Sequence, residues 1–539
     1  MNRRTFLASS TAAGGTFAMA GRKAGAQPAS PPVLRPSVPR PSVLRYVPTA
    51  NLTLLDPVWS TAYVSLCHGY QVFDAPWGLD ASGRAQPQML EGHTVSDDGR
   101  TWTLRLRDGL RFHDGTPVRA ADCAASFARW AARQPTGQVV GGFVDSWSAA
   151  DDRTVKIALK SPLPTLALLM ASSPFPPFVM PERLARTEPS VQVAEMVGSG
   201  PFRFVAGEYV SGNLVVYEKF AGYTPRPEPA EWTSGGKVAR VDRIEWHIIP
   251  DAATAAAALQ RGEVDWVEQP IADLLPALRS QPGLTVGAID PTGWTGFLRF
   301  NQLQPPFDNV LVRRAVLMAV NQEDYLKVAT GDDPASYQVC KAVFPCGTPY
   351  GGQAGAAAMP GSIEAGRKAL AESGYKGERV VLLNPTDNPP LGAFAEIAAD
   401  TMRRIGMNVD NVATDWGTVT QRRASKAPVS EGGWSVFVSY VNAPATVNPA
   451  VNFSIRGQGE RGYFGWYKND EVERLAREWL LSDNDAQRAA VAAAISAEAF
   501  RTVPIVPLGQ FVPHTAYRTA VQGILKGPAV LQWNVSKAG

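Results

Sequence analysis

Two adjacent arginines, Arg422 and Arg423, have side chains suited to binding a small acid. A guanidinium donates two parallel hydrogen bonds to a carboxylate, so either residue could hold the acid group of a ligand. A solvated basic face beside Lys426 would also account for such a pair. The sequence leaves both interpretations open.

Residue patterns of the common catalytic classes are missing from the sequence. It contains no G-x-S-x-G elbow, no phosphate-binding P-loop and no H-E-x-x-H zinc motif. Gly198-Ser199-Gly200 is followed by Pro201, so it lacks the strand–turn–helix context of a dinucleotide site. No two of the five histidines lie within helical reach of each other. We therefore predict no catalytic residues, no metal site and no cofactor.

The four cysteines separate into a close pair and two distant residues. Cys340 and Cys346 lie in one loop that contains Pro345 and Gly347, and we predict a disulfide between them if the protein is exported. Cys67 and Cys123 have no partner nearby in sequence. We expect these two to be small buried hydrophobic residues.

The N-terminus has the features of an export signal. Arg3 and Arg4 precede an apolar stretch, Thr5–Ala20, and an A-x-A cleavage site follows at Ala24–Ala26. The paired arginines are typical of the twin-arginine route. We therefore predict a signal peptide over residues 1–26 and export to the periplasm.

Composition narrows the classes of protein. The 539 residues are 45% hydrophobic and 19% charged, which is typical of globular proteins. Loss of residues 1–26, which hold four basic and no acidic residues, would change the formal charge from +3 to −1. Nucleic acid is therefore not expected as a partner. Residues 27–42 are rich in proline and predict an extended tether.

The elements that must position these residues are a mixture of strands and helices. Alternating apolar residues predict a strand over Thr101–Leu106. Asp251 and Gly262 are suited to cap the two ends of an alanine-rich helix. We predict further strands and helices at Thr154–Leu159, Asn213–Tyr217, Arg243–Ile249 and Ile505–Leu508, and at Ala120–Ala132, Asp470–Leu481 and Asp485–Arg501. The fold class is therefore α/β.

Several ordered motifs resemble one family. The segment from Leu106 to Cys123 reads LRDGLRFHDGTPVRAADC, which resembles the signature of the peptide/nickel class of extracytoplasmic substrate-binding proteins of ABC importers, family 5. The resemblance continues through Gly198–Phe202, Gln260–Asp265 and Phe300–Ala315. It extends over nearly the whole chain that follows the predicted signal peptide.

The resemblance implies a clamshell of two mixed α/β lobes with a hinge, plus a third domain. The first lobe would combine residues 43–75, 196–291 and 511–539. The extra domain would be residues 76–195, and the second lobe residues 292–510. We expect a monomer that works with the transmembrane subunits of a permease.

The resemblance also suggests where a ligand binds. Trp416 and Trp434 match aromatic positions of the family's second lobe, and Trp59 would line the opposite wall. Peptide-binding members usually place an Asp shortly after the tryptophan that Trp434 matches. No carboxylate occurs between Trp434 and Pro444, where Ser439 and Asn442 offer only neutral hydrogen bonds. We therefore hypothesise that ordinary free-amine peptides are not the best ligands.

The predicted function is capture of a peptide or peptide-like solute by lobe closure and delivery to an ABC permease. An alternative is a receptor of the same fold for a metal chelate, siderophore, opine, sugar or acid. A second is an exported hydrolase, and a third is a periplasmic chaperone or structural module. Fold similarity alone cannot choose among them.

Overall fold

The computed structural model describes residues 41–538 apart from residues 61, 172–174, 291, 332, 387 and 528. The predicted signal peptide and nearly all of the predicted tether lie outside the described residues. The described part is a mixed α/β protein with three main sheets. None of its helices is both long enough and apolar enough to cross a membrane.

The strands form three main sheets and two short pairs. In spatial order, the seven-stranded sheet contains Leu284–Ala288, His514–Arg518, Trp266–Val267, Val43–Val47, Arg243–His247, Leu214–Lys219 and Phe202–Phe204. The six-stranded sheet contains Tyr337–Gln338, Ile505–Phe511, Trp294–Phe300, Val436–Asn442, Arg379–Pro385 and Asn408–Thr414. The four-stranded sheet contains Leu90–Val95, Thr101–Leu106, Thr154–Leu159 and Val144–Ala149. Two short pairs are Trp77–Leu79 with Ala85–Pro87 and Val521–Gln522 with Ser536–Lys537.

We call the seven-stranded sheet with its helices the first lobe, the six-stranded sheet with its helices the second lobe, and the four-stranded sheet with its helices the extra domain. The domain boundaries given above remain predictions. The α-helices are Tyr63–Val72, Ala120–Arg133, Pro135–Phe143, Leu166–Ala171, Glu182–Ala185, Ala252–Arg261, Leu275–Ser280, Val310–Ala319, Gln322–Thr330, Ile363–Glu372, Pro389–Ile405, Trp416–Arg422, Pro444–Val447, Asp470–Leu480 and Asp485–Thr502. Short 3₁₀ turns occur at Ala206–Glu208, Ala272–Leu274, Pro334–Ser336, Val429–Glu431 and Gly459–Arg461.

Two short connections join the lobes. Ala288 ends a strand of the first lobe and Trp294 begins a strand of the second. The chain returns between Phe511 and His514. On each side of the crossing the two strands pair antiparallel, with Trp294 opposite Phe511 and Ala288 opposite His514. The crossings therefore lie side by side, as a hinge requires.

Local sequence explains where several elements begin and end. The Asp251 side chain accepts a hydrogen bond from the Thr254 amide, and Gly262 ends that helix at a φ of 77°. The predicted strand from Ile505 is longer than expected and reaches Phe511. Pro507 is tolerated within it because the pairing with Trp294–Phe300 shifts register beside this residue.

The predicted disulfide between Cys340 and Cys346 is present. Side chains of Gln322 and Gln510 fix its loop, because each accepts a hydrogen bond from a cysteine amide, at 2.8 and 2.9 Å. Cys67 and Cys123 are buried free thiols, and burial raises the pKa of each. They therefore fit the expectation of small buried hydrophobic residues.

Replacing both Cys340 and Cys346 by serine is expected to lower the free energy of unfolding by about 2 kcal/mol, because the bridge restricts a short loop of the unfolded chain. Urea denaturation with and without reductant would measure the loss. Reductant should destabilise the wild-type protein and leave the double variant unchanged. Equal stability of the oxidised wild-type protein and the variant would contradict the prediction.

Candidate functional site

A cavity of about 580 Å³ is lined by both lobes and the extra domain. Its volume falls in the range of small-molecule sites. The first lobe and the segment leading from it contribute Leu54, Trp59, Ser60 and Ala62, the extra domain contributes Arg133, Gln134 and Pro135, and the second lobe contributes Trp416, Thr420 and Arg423. Three predicted site residues, Trp59, Trp416 and Arg423, therefore line one cavity.

A buried ion pair shapes the wall that carries Trp59. The Asp56 carboxylate lies 2.7 Å from the Arg129 guanidinium, and both side chains are almost fully buried. The same carboxylate accepts hydrogen bonds from the amides of Val58 and Trp59, which turns the chain. The Trp59 indole donates to the Ser190 carbonyl at 2.9 Å. Hydrogen bonds therefore hold Trp59 at both its backbone amide and its indole ring.

The extra domain holds this wall from the other side. The Gln134 side chain donates to the carbonyls of Val58 and Ser60, at 2.7 and 3.0 Å. The neighbouring Arg133 places its guanidinium 4.9 Å from the centre of the Trp59 ring. Arg133 is exposed and forms no ion pair within the described residues. It therefore adds positive charge to the cavity.

A short helix presents the second lobe's side of the cavity. Trp416, Thr420 and Arg423 follow at intervals of four and three residues, which puts them on one face. Asp415 caps the helix by accepting hydrogen bonds from the amide and hydroxyl of Thr418, at 2.8 and 2.6 Å. These bonds lower the pKa of Asp415. The cap fixes the start of the face.

Arg423 lies among aromatic rings without an acidic partner. Its guanidinium carbon is 5.5 Å from the ring centre of Trp416, 4.8 Å from that of Phe464 and 5.7 Å from that of Phe437. One terminal nitrogen donates to the Tyr463 hydroxyl at 3.2 Å, while the buried Nε has no hydrogen-bond partner. Arg423 forms no ion pair within the described part of the chain. It is thus a partly buried cation available to an anionic ligand.

Arg422 has a different role from its neighbour. Its guanidinium donates to the carbonyls of Gly432 and Gly433, both at 3.0 Å. These bonds attach the loop before strand Val436–Asn442 to the helix that carries the cavity face. The structure therefore separates the two predicted arginines, and only Arg423 lines the cavity.

Trp434 is a core residue in the structure and does not line the cavity. Its side chain is fully buried, and its indole donates to the Ser425 carbonyl at 3.1 Å. It packs against Phe437 and Trp466, with ring centres 5.2 and 5.9 Å away. Because no part of the ring reaches solvent, we assign Trp434 to support of the Arg423 cluster rather than to ligand contact.

Ser439 and Asn442 also lie apart from the larger cavity. Ser439 is buried in the middle of its strand, opposite Phe297. Asn442 ends the strand and lines a second cavity of about 40 Å³ at the junction of the lobes. The other residues around it include Tyr63, Glu268, Gln269, Ile289, Asp290, Trp294 and Thr515.

Sequence reasoning missed Arg133, Gln134, Glu268 and Asp290. They belong to distant segments, and no local motif marks them as neighbours of the predicted residues.

Within the described residues, no three His, Cys, Asp or Glu side chains are grouped so that they could hold a metal ion. His68, for example, is buried with Nδ1 2.9 Å from the Tyr217 hydroxyl, and burial lowers its pKa to about 3.

Comparisons with known proteins indicate one family of solute-binding proteins. The family described as bacterial extracellular solute-binding proteins, family 5 Middle, matches residues 84–455. A probable peptide ABC transporter periplasmic-binding protein of Sinorhizobium fredii is 37% identical over 492 residues, which cover 90% of this chain and 92% of that protein.

Two solved structures share the fold. A dipeptide-binding protein from Pseudoalteromonas sp. SM9913, in complex with Met-Leu, aligns with a TM-score of 0.75 at 22% identity and covers 92% of this chain and 100% of its own. A binding protein from Agrobacterium tumefaciens, in complex with agropinic acid, has the same TM-score at 21% identity and covers 92% of this chain and 99% of its own.

Proposed function

Because the chain belongs to family 5 of the bacterial extracellular solute-binding proteins of ABC importers, we propose that it captures a peptide or peptide-like solute through a carboxylate of that solute. The observation that carries this proposal is the unpaired Arg423 guanidinium in a cavity with tryptophans on opposite walls. Arg133 adds a second positive charge. Such a cavity favours an anionic solute with some apolar surface.

Capture depends on closure of the two lobes about the hinge. A solute in the cavity contacts Trp59 from one side and Arg423 from the other, so it binds the closed form more tightly than the open form. Only this difference in affinity shifts the population toward closure. The closed monomer would then dock on the permease, and this cycle needs no covalent chemistry, catalytic residue or cofactor.

A receptor for a carboxylate-bearing solute that is not a peptide is the second candidate. The absence of a carboxylate between Trp434 and Pro444 favours it, because this stretch offers no partner for an ammonium group. The fold also serves a protein solved with agropinic acid. Arg423 would hold the acid group in either case.

Native mass spectrometry of the protein purified from the periplasm without refolding tests the proposal. We expect a retained solute that carries at least one carboxylate, and fragmentation would decide between a peptide and another acid. A retained solute without a carboxylate would contradict the assignment of Arg423. A retained sugar, for instance, would contradict the proposal directly.

The export route gives a separate prediction. The family functions outside the cytoplasm, and we propose that this member uses the twin-arginine route because of Arg3 and Arg4. Replacing both by lysine should abolish processing and leave the full-length precursor in the cytoplasm. Immunoblots of cell fractions would show this, and an unchanged periplasmic level would contradict the prediction.

A further inference from the structure

The two crossings of the hinge are in direct contact. The first crossing runs between Ala288 and Trp294, and the second runs between Phe511 and His514. Gly293, in the first crossing, has a φ of 64°, and a Cβ atom there would lie 2.3 Å from the Phe511 carbonyl oxygen. Only glycine therefore fits between the crossings. A group that restrains one crossing also restrains the other.

The segment that leads to the disulfide holds the second crossing. Its short strand, Tyr337–Gln338, pairs with Phe511 and Gln510. The Ser336 carbonyl accepts a hydrogen bond from the Val512 amide at 2.7 Å, within the crossing itself. The backbone of this segment and that of the crossing are therefore joined by hydrogen bonds.

Gln510 connects the disulfide loop to the first crossing. Its Oε1 accepts a hydrogen bond from the Cys346 amide at 2.9 Å, and its Nε2 donates to the Cys346 carbonyl at 3.2 Å. The same nitrogen also donates to the Thr292 carbonyl, which lies in the first crossing. Gln510 is 3% exposed, so little water competes for these bonds. One side-chain amide thus joins the disulfide loop to the hinge.

The other end of the disulfide loop is attached to the second lobe. Gln322 holds Cys340 as Gln510 holds Cys346: its Oε1 accepts from the Cys340 amide at 2.8 Å, and its Nε2 donates to the Cys340 carbonyl at 2.9 Å. Its third hydrogen bond goes to the Pro507 carbonyl at 3.0 Å, in the six-stranded sheet rather than in a crossing. The disulfide connects these two attachments, so the position of Cys346 is fixed relative to the second lobe.

We propose that the disulfide loop, residues 340–346, is a clamp on the hinge and that Gln510 is the positioning residue through which the clamp acts. The clamp limits the arrangements that the first crossing can adopt. An open form with fewer arrangements loses less conformational entropy when the lobes close. A solute therefore closes the clamped protein at a smaller cost in free energy and binds it more tightly. This inference goes beyond the proposed function, because it holds for any solute.

Burial makes the clamp a constant part of the folded protein. Cys340 and Cys346 are 2% and 5% exposed, so an external thiol has little access to the bond. Replacement of residues, rather than reduction of the folded protein, is therefore the suitable way to release the clamp.

Hydrogen exchange in the solute-free protein measures the clamp. Gln510→Met keeps the length of the side chain and removes its three hydrogen bonds. We expect the amides of Thr292 and Gly293 to exchange about fivefold faster, the factor by which one hydrogen bond of typical strength changes a local opening equilibrium. Mass spectrometry of peptides that contain both residues would measure the rates. Unchanged rates would overturn the inference.

Gln322→Met is the matched control. It removes three hydrogen bonds from the same loop and its surroundings but none from a crossing. Both glutamines are almost fully buried, so we expect the two variants to lose similar amounts of stability. The control should speed exchange of the Cys340 amide and change that of Thr292 and Gly293 less than about twofold. Equal acceleration at the crossing in both variants would overturn the role of Gln510.

Combined variants test whether the disulfide acts through Gln510. Cys340→Ser with Cys346→Ser should also speed exchange at the first crossing. Adding Gln510→Met should cause little further change, because both substitutions release the same link. Small-angle X-ray scattering of each released variant should give a larger radius of gyration than that of the wild-type protein, since more open arrangements become accessible. Additive accelerations, or scattering curves identical to that of the wild type, would overturn the clamp.

Discussion

Replacing Arg423 by glutamine is expected to weaken the binding of a carboxylate-bearing solute by about 10- to 100-fold. Hydrogen bonds to a charged group contribute about 1.5–3 kcal/mol, and the substitution removes both the charge and the paired donors. No other described residue neutralises Arg423, so the wild-type guanidinium is available to the ligand. Isothermal titration calorimetry with the solute recovered by native mass spectrometry would measure the loss.

A charge-matched control separates direct contact from long-range attraction. Lys426 lies three residues after Arg423 but is exposed and paired with Glu460 at 2.8 Å. Lys426→Gln removes the same charge and should change the affinity less than threefold. Arg423→Lys should recover only part of the affinity, because an ammonium cannot make the paired contact. Equal losses in Arg423→Gln and Lys426→Gln would show that Arg423 does not touch the ligand.

The amidated form of the ligand provides a stricter comparison. If Arg423 binds the ligand's carboxylate, amidation of that group should weaken binding to the wild-type protein and have little further effect on Arg423→Gln. The two changes remove the same interaction, so their effects should not add. Fully additive losses would place the carboxylate elsewhere in the cavity.

Replacing Asp56 by alanine is expected to destabilise the protein by about 3–5 kcal/mol, because it leaves the Arg129 guanidinium buried without a counter-charge. The change also removes the acceptor for the amides of Val58, Trp59 and Val193. The wall that carries Trp59 would lose its shape, so ligand affinity should fall as well. Chemical denaturation would measure the stability loss in the ligand-free protein.

An exposed ion pair in the extra domain is the control for this variant. Glu91 and Arg105 lie 3.0 Å apart, and each side chain is more than half exposed. Glu91→Ala should change the free energy of unfolding by less than about 1 kcal/mol. A double variant, Asp56→Leu with Arg129→Met, should be more stable than Asp56→Ala, since it leaves no unpaired charge. A loss below 1 kcal/mol in Asp56→Ala would contradict the role given to the buried pair.

Local patterns were sufficient for much of the secondary structure. The helix Ala252–Arg261 was predictable because its caps and its alanine content act within about ten residues. The strands Thr101–Leu106 and Thr154–Leu159 agree with their predicted bounds. The continuation of the strand from Ile505 to Phe511 was not predictable, because the register shift that accommodates Pro507 depends on a partner strand about 200 residues earlier.

For the candidate site too, local sequence patterns predicted some features and could not predict others. The sequence alone identified the family, Arg423 as a possible carboxylate anchor, and the Cys340–Cys346 pair, because each depends on residue type and short spacing. It could not separate Arg423 from Arg422 or exclude Trp434 from the cavity wall. Which side chain of a helix or loop faces a cavity is set by packing against remote segments.

The sequence by itself determined the class of protein, several of its strands and helices and the absence of an acid between Trp434 and Pro444. Only the tertiary structure decided which residues share a cavity. Glu268, Asp290 and Asn442 line one small cavity because two lobes, each built from separate stretches of chain, join at paired strands beside the hinge. Such contacts depend on long-range strand pairing, and no local spacing in the sequence records them.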